Sequence, residues 1–271
     1  MRGRRIEFGC GRSGHDGPGG HERKGTRDHH PVPHDPEKLR DLAVAVAAEA
    51  GELAAKGQEG ITVLDTKSSP TDVVTEMDRA TEDLVRDRLL EARPQDAVLG
   101  EEGGGVEGTS GVRWVVDPID GTVNYLYGSP DWGVAVAAEI DGVVVAAAVH
   151  LPVHGQMFDA VLGGGSRLDG RELRAPEAVP LDRALVATGF GYLPERRLQQ
   201  ARVLTEVIPH IRDIRRVGSA AVDITGLATG RYNAYYERGL HLWDWAAPGL
   251  VASEAGLRVG GAHGGRPATT W

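Results

Sequence analysis

Between Asp35 and Gly57, apolar residues fall at Leu39, Leu42, Val46, Ala50 and Leu53, the three-to-four spacing of a helix with one buried face. Asp35-Pro36-Glu37 supplies its start: a capping side chain, a proline at the first helical position and a first-turn acid. Lys56-Gly57 ends it. A second helix is predicted over Thr75–Glu91 and closes at Arg93-Pro94, because the residue before proline avoids helical geometry. Short β-branched runs at Ile61–Leu64, Ala97–Gly100 and Val112–Val116 predict strands. Trp132–Ile140, Val143–Leu151 and Gln156–Leu162 read as successive antiparallel strands, with Asp141-Gly142 as a hairpin turn. From Ala184 the pattern changes. Strands at Ala184–Thr188, Ile214–Val217 and Tyr232–Glu237 alternate with helices at Glu195–Ile208 and Ser219–Thr229, and an Ala-rich helix follows at Trp245–Ala255. Hairpins followed by such alternation predict a mixed α and β fold with two sheets and helical layers.

The 271 residues carry 41% hydrophobic and 25% charged side chains, ordinary for a globular chain with a sizeable core. Residues 1–34 differ: they are rich in Gly, Arg and His with almost nothing apolar to bury, and are expected to form a disordered tail. A domain is expected over residues 35–271, with an antiparallel-sheet half at about 35–175 and a second-sheet half at about 180–271. The net charge of −9 argues against nucleic-acid binding through a basic surface. The longest apolar run, Val143–Val149, is too short to span a bilayer, so no membrane partner is expected. One cysteine, Cys10, excludes an intramolecular disulfide and fits a reducing cytoplasm.

The chemistry concentrates in Val112–Tyr125, VRWVVDPIDGTVNY. An apolar strand meets Asp117-Pro118, and because Pro118 cannot donate to a ladder the strand is expected to end there. Asp117 and Asp120 then leave the sheet together, with Gly121 and Thr122 at the start of a helix. Two carboxylates beside a helix N-terminus pair a divalent-cation site with an anion site, which suits phosphate ester chemistry. An Asp-Gly turn alone would explain the glycine but not the ordered set. Other acids are ambiguous on their own residues. Asp78 reads as a first-turn acid of the second helix. Glu101-Glu102 could be solvated, Glu237 could be a surface acid at a strand end, and Asp244 reads as the N-cap of the last helix.

VDPIDGTVNY resembles the first signature of the inositol monophosphatase family of magnesium-dependent, lithium-sensitive phosphatases. WDWAAPGLVASEAG at Trp243–Gly256 and VLGEEG at Val98–Gly103 resemble two further signatures in the family's order, and GSAA at Gly218–Ala221 and AYYE at Ala234–Glu237 also match its text. The similarity runs from about Asp35 to about Gly260. Gly103 replaces a common Ser, and the Gly-rich end departs from the further strand and helix usual in the family, which puts stability and assembly in question more than the acids.

The resemblance implies an α+β, five-layer α-β-α-β-α sandwich and a homodimer. It implies that Glu101, Asp117, Asp120, Asp244 and the main-chain carbonyl of Ile119 hold two or three Mg²⁺ ions, with Glu102 as nearby support. Asp78, Thr122 and Glu101 are then the catalytic residues, Asp78 and Thr122 taking the proton of an attacking water. Backbone N–H groups of Gly121 and Thr122 hold the phosphate, while Glu237, Asp120 and Asp244 meet the substrate. The expected reaction is hydrolysis of inositol 1-phosphate or a related polyol or sugar phosphate. Histidinol phosphate and fructose bisphosphate are the alternatives within the superfamily. A regulatory binding protein on a phosphatase scaffold is the alternative of another class.

Overall fold

Asp35 caps the first helix as its sequence dictates, its carboxylate accepting the Glu37 N–H at 3.0 Å, and α1 runs Pro36–Gly57. A computed structural model of the chain describes residues 34–60, 63–66, 73–103 and 105–261. The expected tail, apart from His34, lies outside these. Two short strands, β1 (Val63–Thr66) and β2 (Val73–Thr75), pair antiparallel and lead into α2 (Glu76–Ala92). The strand expected at Ile61–Leu64 reaches Thr66, and its first two expected residues lie outside the described set.

A seven-stranded mixed sheet follows: β3 (Ala97–Gly100), β4 (Val112–Asp120), β5 (Gly133–Ile140), β6 (Val143–Leu151), β7 (Gln156–Val161), β8 (Gly165–Leu168) and β9 (Arg171–Leu173), in that spatial order. β3 and β4 pair in parallel and the rest antiparallel. Asp141 and Asp169, both followed by glycine, adopt positive φ of 50° in the two tight hairpins, as Asp-Gly turns require. The last two strands were not predicted. Their apolar positions are few, and their glycines read as a turn alone.

Alternation along the strands divides the core. Trp114, Val116, Val134 and Val136 face α1 and α2 through Leu39, Val46, Val85 and Leu89. Val115, Ala137, Val149 and Phe158 face the opposite way, toward Val222, Ala247 and Val251. These last belong to α5 (Ala220–Ala228) and α6 (Leu242–Glu254). Beyond that helical layer lies a second, all-parallel sheet, β11-β10-β12, built from β10 (Leu185–Thr188), β11 (Asp213–Arg215) and β12 (Ala234–Tyr236). Ile224 and Ala252 pack with Tyr235 across that boundary. α4 (Pro194–Val207) connects β10 to β11, and its buried Gln200 bonds the Gly189 and Arg238 carbonyls and the Gly191 N–H. The two larger sheets with their helical layers form the expected α+β sandwich. The short helix α3 (Thr122–Leu126) follows β4 directly.

Candidate metal and phosphate site

Strand β4 does not stop at Pro118. It continues to Asp120, and the reason is a bulge. β3 has finished pairing at Gly100 opposite Val116. On the other side the register passes from Asp117–Ala135 to Asp120–Gly133, three residues against two. Pro118 and Ile119 lie in that irregularity, where a missing ladder N–H costs little. The bulge also has a chemical consequence. Residues three apart in a regular strand point to opposite faces, and the extra residue re-aims Asp120 so that it meets Asp117.

Asp244 joins them from the start of α6. One oxygen from each of Asp117, Asp120 and Asp244 lies within 4.8 Å of the others. Asp244 is not the N-cap expected from the sequence. It is the third helical residue, its carboxylate accepting the His241 N–H at 2.5 Å in a capping box whose cap is His241. The Trp-Asp pair therefore lies inside the first turn, and the helix begins at Leu242 instead of at Trp245, where a capping Asp244 would put its start.

Each carboxylate keeps part of its capacity open. Asp120 Oδ2 accepts the Ser219 hydroxyl at 2.7 Å and the Ala221 N–H at the start of α5. Asp117 Oδ1 is buried without a hydrogen-bond partner among the described residues. Burial first, then the charges of Glu101, Asp120 and Asp244, push the Asp117 carboxyl well above its usual range. Asp244 is raised the same way, by burial and then by Glu101 and Asp120. Burial raises Asp120 against the opposing Ala221 and Ser219 bonds. Glu101, just past β3, is thus brought to the same cluster. An all-oxygen donor set, mutually repelling, buried and with an orphaned lone pair, fits a hard divalent cation such as Mg²⁺.

Beside this cluster, Thr122 Oγ1 lies 3.0 Å from Asp78 Oδ1 and 3.2 Å from the Ile119 carbonyl oxygen. Asp78 is fully buried. Its other oxygen accepts the Thr75 N–H at 2.8 Å and the Thr75 hydroxyl at 2.5 Å, in the capping box that opens α2. The first-turn role and the approach to Thr122 coexist, one oxygen for each. Gly121, at φ 99°, turns the chain from β4 into α3, with Ser219 and Trp132 crowding where a side chain would go.

Glu237 follows β12 and is not a free surface acid. Tyr235 donates its hydroxyl to Glu237 Oε2 at 2.5 Å, and the carboxylate lies against Gly189, where a Cβ would come within 1.8 Å of it. Burial raises its carboxyl while Tyr235 opposes the rise. Two buried acids, Glu82 and Asp223, escaped the sequence reading, and Asn124 of the VDPIDGTVNY motif has a tethering role that the motif alone did not show. Buried Glu82 accepts the Glu102 N–H at 2.7 Å, and its carboxylate fills the space over Gly100. Asn124 donates to the carbonyls of Asp131 and Val217, tying α3 to the chain before α5. Asp223, buried on α5, is raised to about 8 by burial and then by Asp120 and Glu237. Glu82 and Asp223 each sit at an ordinary helical position, so only their burial marks them.

Comparison with known proteins gives the family and the fold. The model of the "Inositol monophosphatase family" matches residues 35–270, further toward the C-terminus than the motifs alone suggest. The chain is 43% identical over 244 residues to the inositol-1-monophosphatase SuhB of Mycobacterium tuberculosis, covering 83% of this chain and 84% of that protein. It is 36% identical over 230 residues to the Nus factor SuhB of Escherichia coli, covering 84% and 86%. The crystal structure of the extragenic suppressor protein suhB from Bartonella henselae superposes with a TM-score of 0.79 at 32% identity, covering 85% of this chain and 90% of that one. A family match over most of the length, relatives well above 30% identity and a shared fold lead to one conclusion: the chain belongs to the inositol monophosphatase family.

Proposed function

We propose that this phosphatase-family protein is a Mg²⁺-dependent phosphomonoesterase that hydrolyses inositol 1-phosphate or a related polyol phosphate to the alcohol and phosphate. The observation that carries the reading is the convergence of Asp117, Asp120 and Asp244 beside the Asp78–Thr122 pair. Glu101, Asp117, Asp120, Asp244 and the Ile119 carbonyl would hold two or three ions. When bound, Mg²⁺ supplies Lewis acidity that offsets phosphate charge and favours ionisation of a water. Thr122 Oγ1 accepts the proton of the attacking water as it passes its own to Asp78 Oδ1. Thr75 fixes the other oxygen of Asp78, so the carboxylate does not rotate away from this task. The N–H groups of Gly121 and Thr122 hold the phosphate. On the alcohol side, Glu237 accepts hydrogen bonds from ring hydroxyls alongside Asp120 and Asp244. The name of the mycobacterial relative supports inositol 1-phosphate as first choice.

Phosphate release from inositol 1-phosphate, measured with Mg²⁺, with EDTA and with added Li⁺, tests this. Release that needs Mg²⁺ and falls with Li⁺ is expected. Histidinol phosphate hydrolysed far better would replace the substrate, and no release from any phosphomonoester by folded protein would end the enzyme reading. The Nus factor name of the Escherichia coli relative favours one second reading, a regulatory binding protein on this scaffold. An Asp244→Asn variant that keeps the cellular role would decide for it. The assembly we propose is a homodimer, measurable by light scattering. Among the described residues no helix is long and apolar enough to cross a membrane.

A further inference from the structure

Glu237 is held from two sides at the end of the second sheet. β12 pairs in parallel with β10, Ala187 opposite Tyr235 and Thr188 opposite Tyr236, which brings Gly189 beside Glu237 one step further along. Thr188 Oγ1 donates to the Tyr236 carbonyl at 2.8 Å and pins the two strand ends together. Residues two apart on a strand share a face, so Tyr235 and Glu237 point the same way and the phenol hydroxyl reaches Glu237 Oε2 at 2.5 Å. The Tyr235 ring is itself packed against Ala220 and Ile224 of α5 and Ala252 of α6, which fixes where its hydroxyl lies. On the other side Gly189 leaves room, since a Cβ there would come within 1.8 Å of Glu237 Oε2. Gly189 is not among the glycines with positive φ, so its missing side chain serves space and not backbone conformation.

The surroundings of Glu237 act on its proton in both directions. Burial raises its carboxyl, and the Tyr235 hydroxyl is the largest opposing influence. Asp120 of β4 adds to the rise and Arg216, which follows β11, reduces it. Asp223 of α5 and Asp244 of α6 lie near enough to feel the charge of Glu237 in turn. The form matters for recognition. An ionised carboxylate only accepts hydrogen bonds, whereas a protonated one commits one oxygen as a donor. A phenol that donates to Oε2 favours the accepting form and fixes the plane of the carboxylate, leaving Oε1 for a hydroxyl of the alcohol.

We infer that Tyr235 is a positioning residue for substrate choice: with Gly189 giving the carboxylate its place, the phenol hydroxyl holds Glu237 as an acceptor for the hydroxyls of the alcohol, so that hydroxylated phosphate esters are chosen over bare ones. This rests on the phosphatase reading and on Glu237 meeting the alcohol, and it names the residues that give Glu237 that ability. Tyr235 itself touches Glu237 and not the substrate.

Tyr235→Phe deletes the hydroxyl and keeps the ring packing. The test compares inositol 1-phosphate with phenyl phosphate, whose alcohol part has no further hydroxyl, for the full chain with Mg²⁺ over a range of pH. The ratio of the two kcat/KM values cancels what the substrates share, the phosphate and the metal ligands. In Tyr235→Phe this ratio is expected to fall roughly 10- to 100-fold near neutral pH, the range of one lost bond to a charged group, with phenyl phosphate turnover near wild type. The acid limb of the ratio should also move to higher pH, because Glu237 without the phenol takes up its proton earlier as pH falls. Gly189→Ala should lower the ratio as well, by driving the carboxylate aside. In a Glu237→Ala background Tyr235→Phe should change the ratio little, since the group it acts through is gone. An unmoved ratio in Tyr235→Phe, equal losses on both substrates, or a loss that persists with Glu237→Ala overturns the inference. If neither ester is hydrolysed the phosphatase reading fails. In that case, or if only one ester turns over, calorimetry with Ca²⁺ in place of Mg²⁺ decides the inference separately. Wild type should then prefer inositol 1-phosphate to inorganic phosphate and Tyr235→Phe should lose that preference; the same preference in both proteins, or none in wild type, overturns it.

Discussion

Asp117→Asn should make the metal-free protein more stable and the metal-loaded protein inactive. Three carboxylate oxygens lie within 4.8 Å of one another. At that separation and an effective dielectric of about 20, each fully ionised pair repels by about 3.5 kcal/mol. Asp117 takes part in two of the three pairs, and its burial adds a desolvation cost. Proton uptake relieves most of this in the absence of metal, which leaves about 1–3 kcal/mol to be recovered by a neutral isostere. In a chain of this size that corresponds to a rise in Tm of roughly 3–10 °C in EDTA. Saturating Mg²⁺ at a hundred times its dissociation constant should stabilise the wild type by about 2.7 kcal/mol, and the variant far less. Turnover should drop by about 10³-fold or more, the equivalent of several kcal/mol of charge stabilisation. Thermal melts in EDTA and in Mg²⁺, beside phosphate release, measure all three effects. A variant that melts lower in EDTA, or that keeps the wild-type response to Mg²⁺, would refute the argument from converging charge.

Thr122→Ala should lower kcat by about 10²- to 10⁴-fold with KM little changed, the range for loss of general-base assistance; a kcat within tenfold of wild type would remove the Asp78–Thr122 pair from the mechanism. Glu82→Ala leaves the Glu102 N–H without its acceptor, so about 1–3 kcal/mol of stability should be lost and more Mg²⁺ should be needed for half-activation. Glu82→Gln keeps an acceptor and should recover most of both, so equal damage from the two variants would show that the bond to Glu102 is not what matters. Asp223 has a folded pKa of about 8 against an ordinary 3.8, so the folded state holds a proton that the unfolded chain releases as pH rises through that window. Its contribution is complete below about pH 4 and declines by up to about 1.4 kcal/mol per pH unit toward pH 8. Urea unfolding in EDTA at several pH values should therefore show a shallower decline for Asp223→Asn than for wild type, and parallel curves would contradict the buried, protonated state.

Legibility in the sequence followed the range of the forces involved. α1 was readable end to end because its cap, its first-turn proline and its apolar face are all local. The break at Pro118 was visible too, but its form was not. Whether a proline ends a strand or sits in a bulge depends on where β3 stops pairing and how β5 is registered, and both are tertiary facts. β8 and β9 carry little apolar signal, since they continue a sheet from its edge with intermediate and exposed positions. For the site, the motif residues Glu101, Asp117, Asp120, Thr122 and Asp244 stood out through spacing and resemblance. Glu82 and Asp223 did not, because an acid on a helix carries no sign of its burial. Arg197 and Arg216, which line one cavity, are almost twenty residues apart in the chain and reach it through the parallel pairing of β10 and β11.

Clustering so many carboxylates below the surface is tolerable here because three helix starts converge on them. Asp78 occupies the third position of α2 and Asp244 the third position of α6, each closing a capping box with its own helix. Asp120 has no helix of its own and instead accepts the first-turn N–H of Ala221 in α5, together with the Ser219 cap. Each helix start presents unsatisfied N–H groups and a partial positive charge, worth up to about 2 kcal/mol to a partly buried carboxylate. Asp117, which no helix start serves, has a buried oxygen, Oδ1, with no hydrogen-bond partner among the described residues. The division is informative. Carboxylates bound to helix starts are held by the protein itself, while Asp117 Oδ1 would find its partner in a bound cation. Affinity for the metal should accordingly be more sensitive to Asp117 than to Asp78. Replacing the Ser219 cap by alanine should loosen Asp120 and weaken Mg²⁺ activation without removing a ligand. A Ser219→Ala variant with unaltered Mg²⁺ dependence would show that the backbone N–H groups of α5 hold Asp120 unaided.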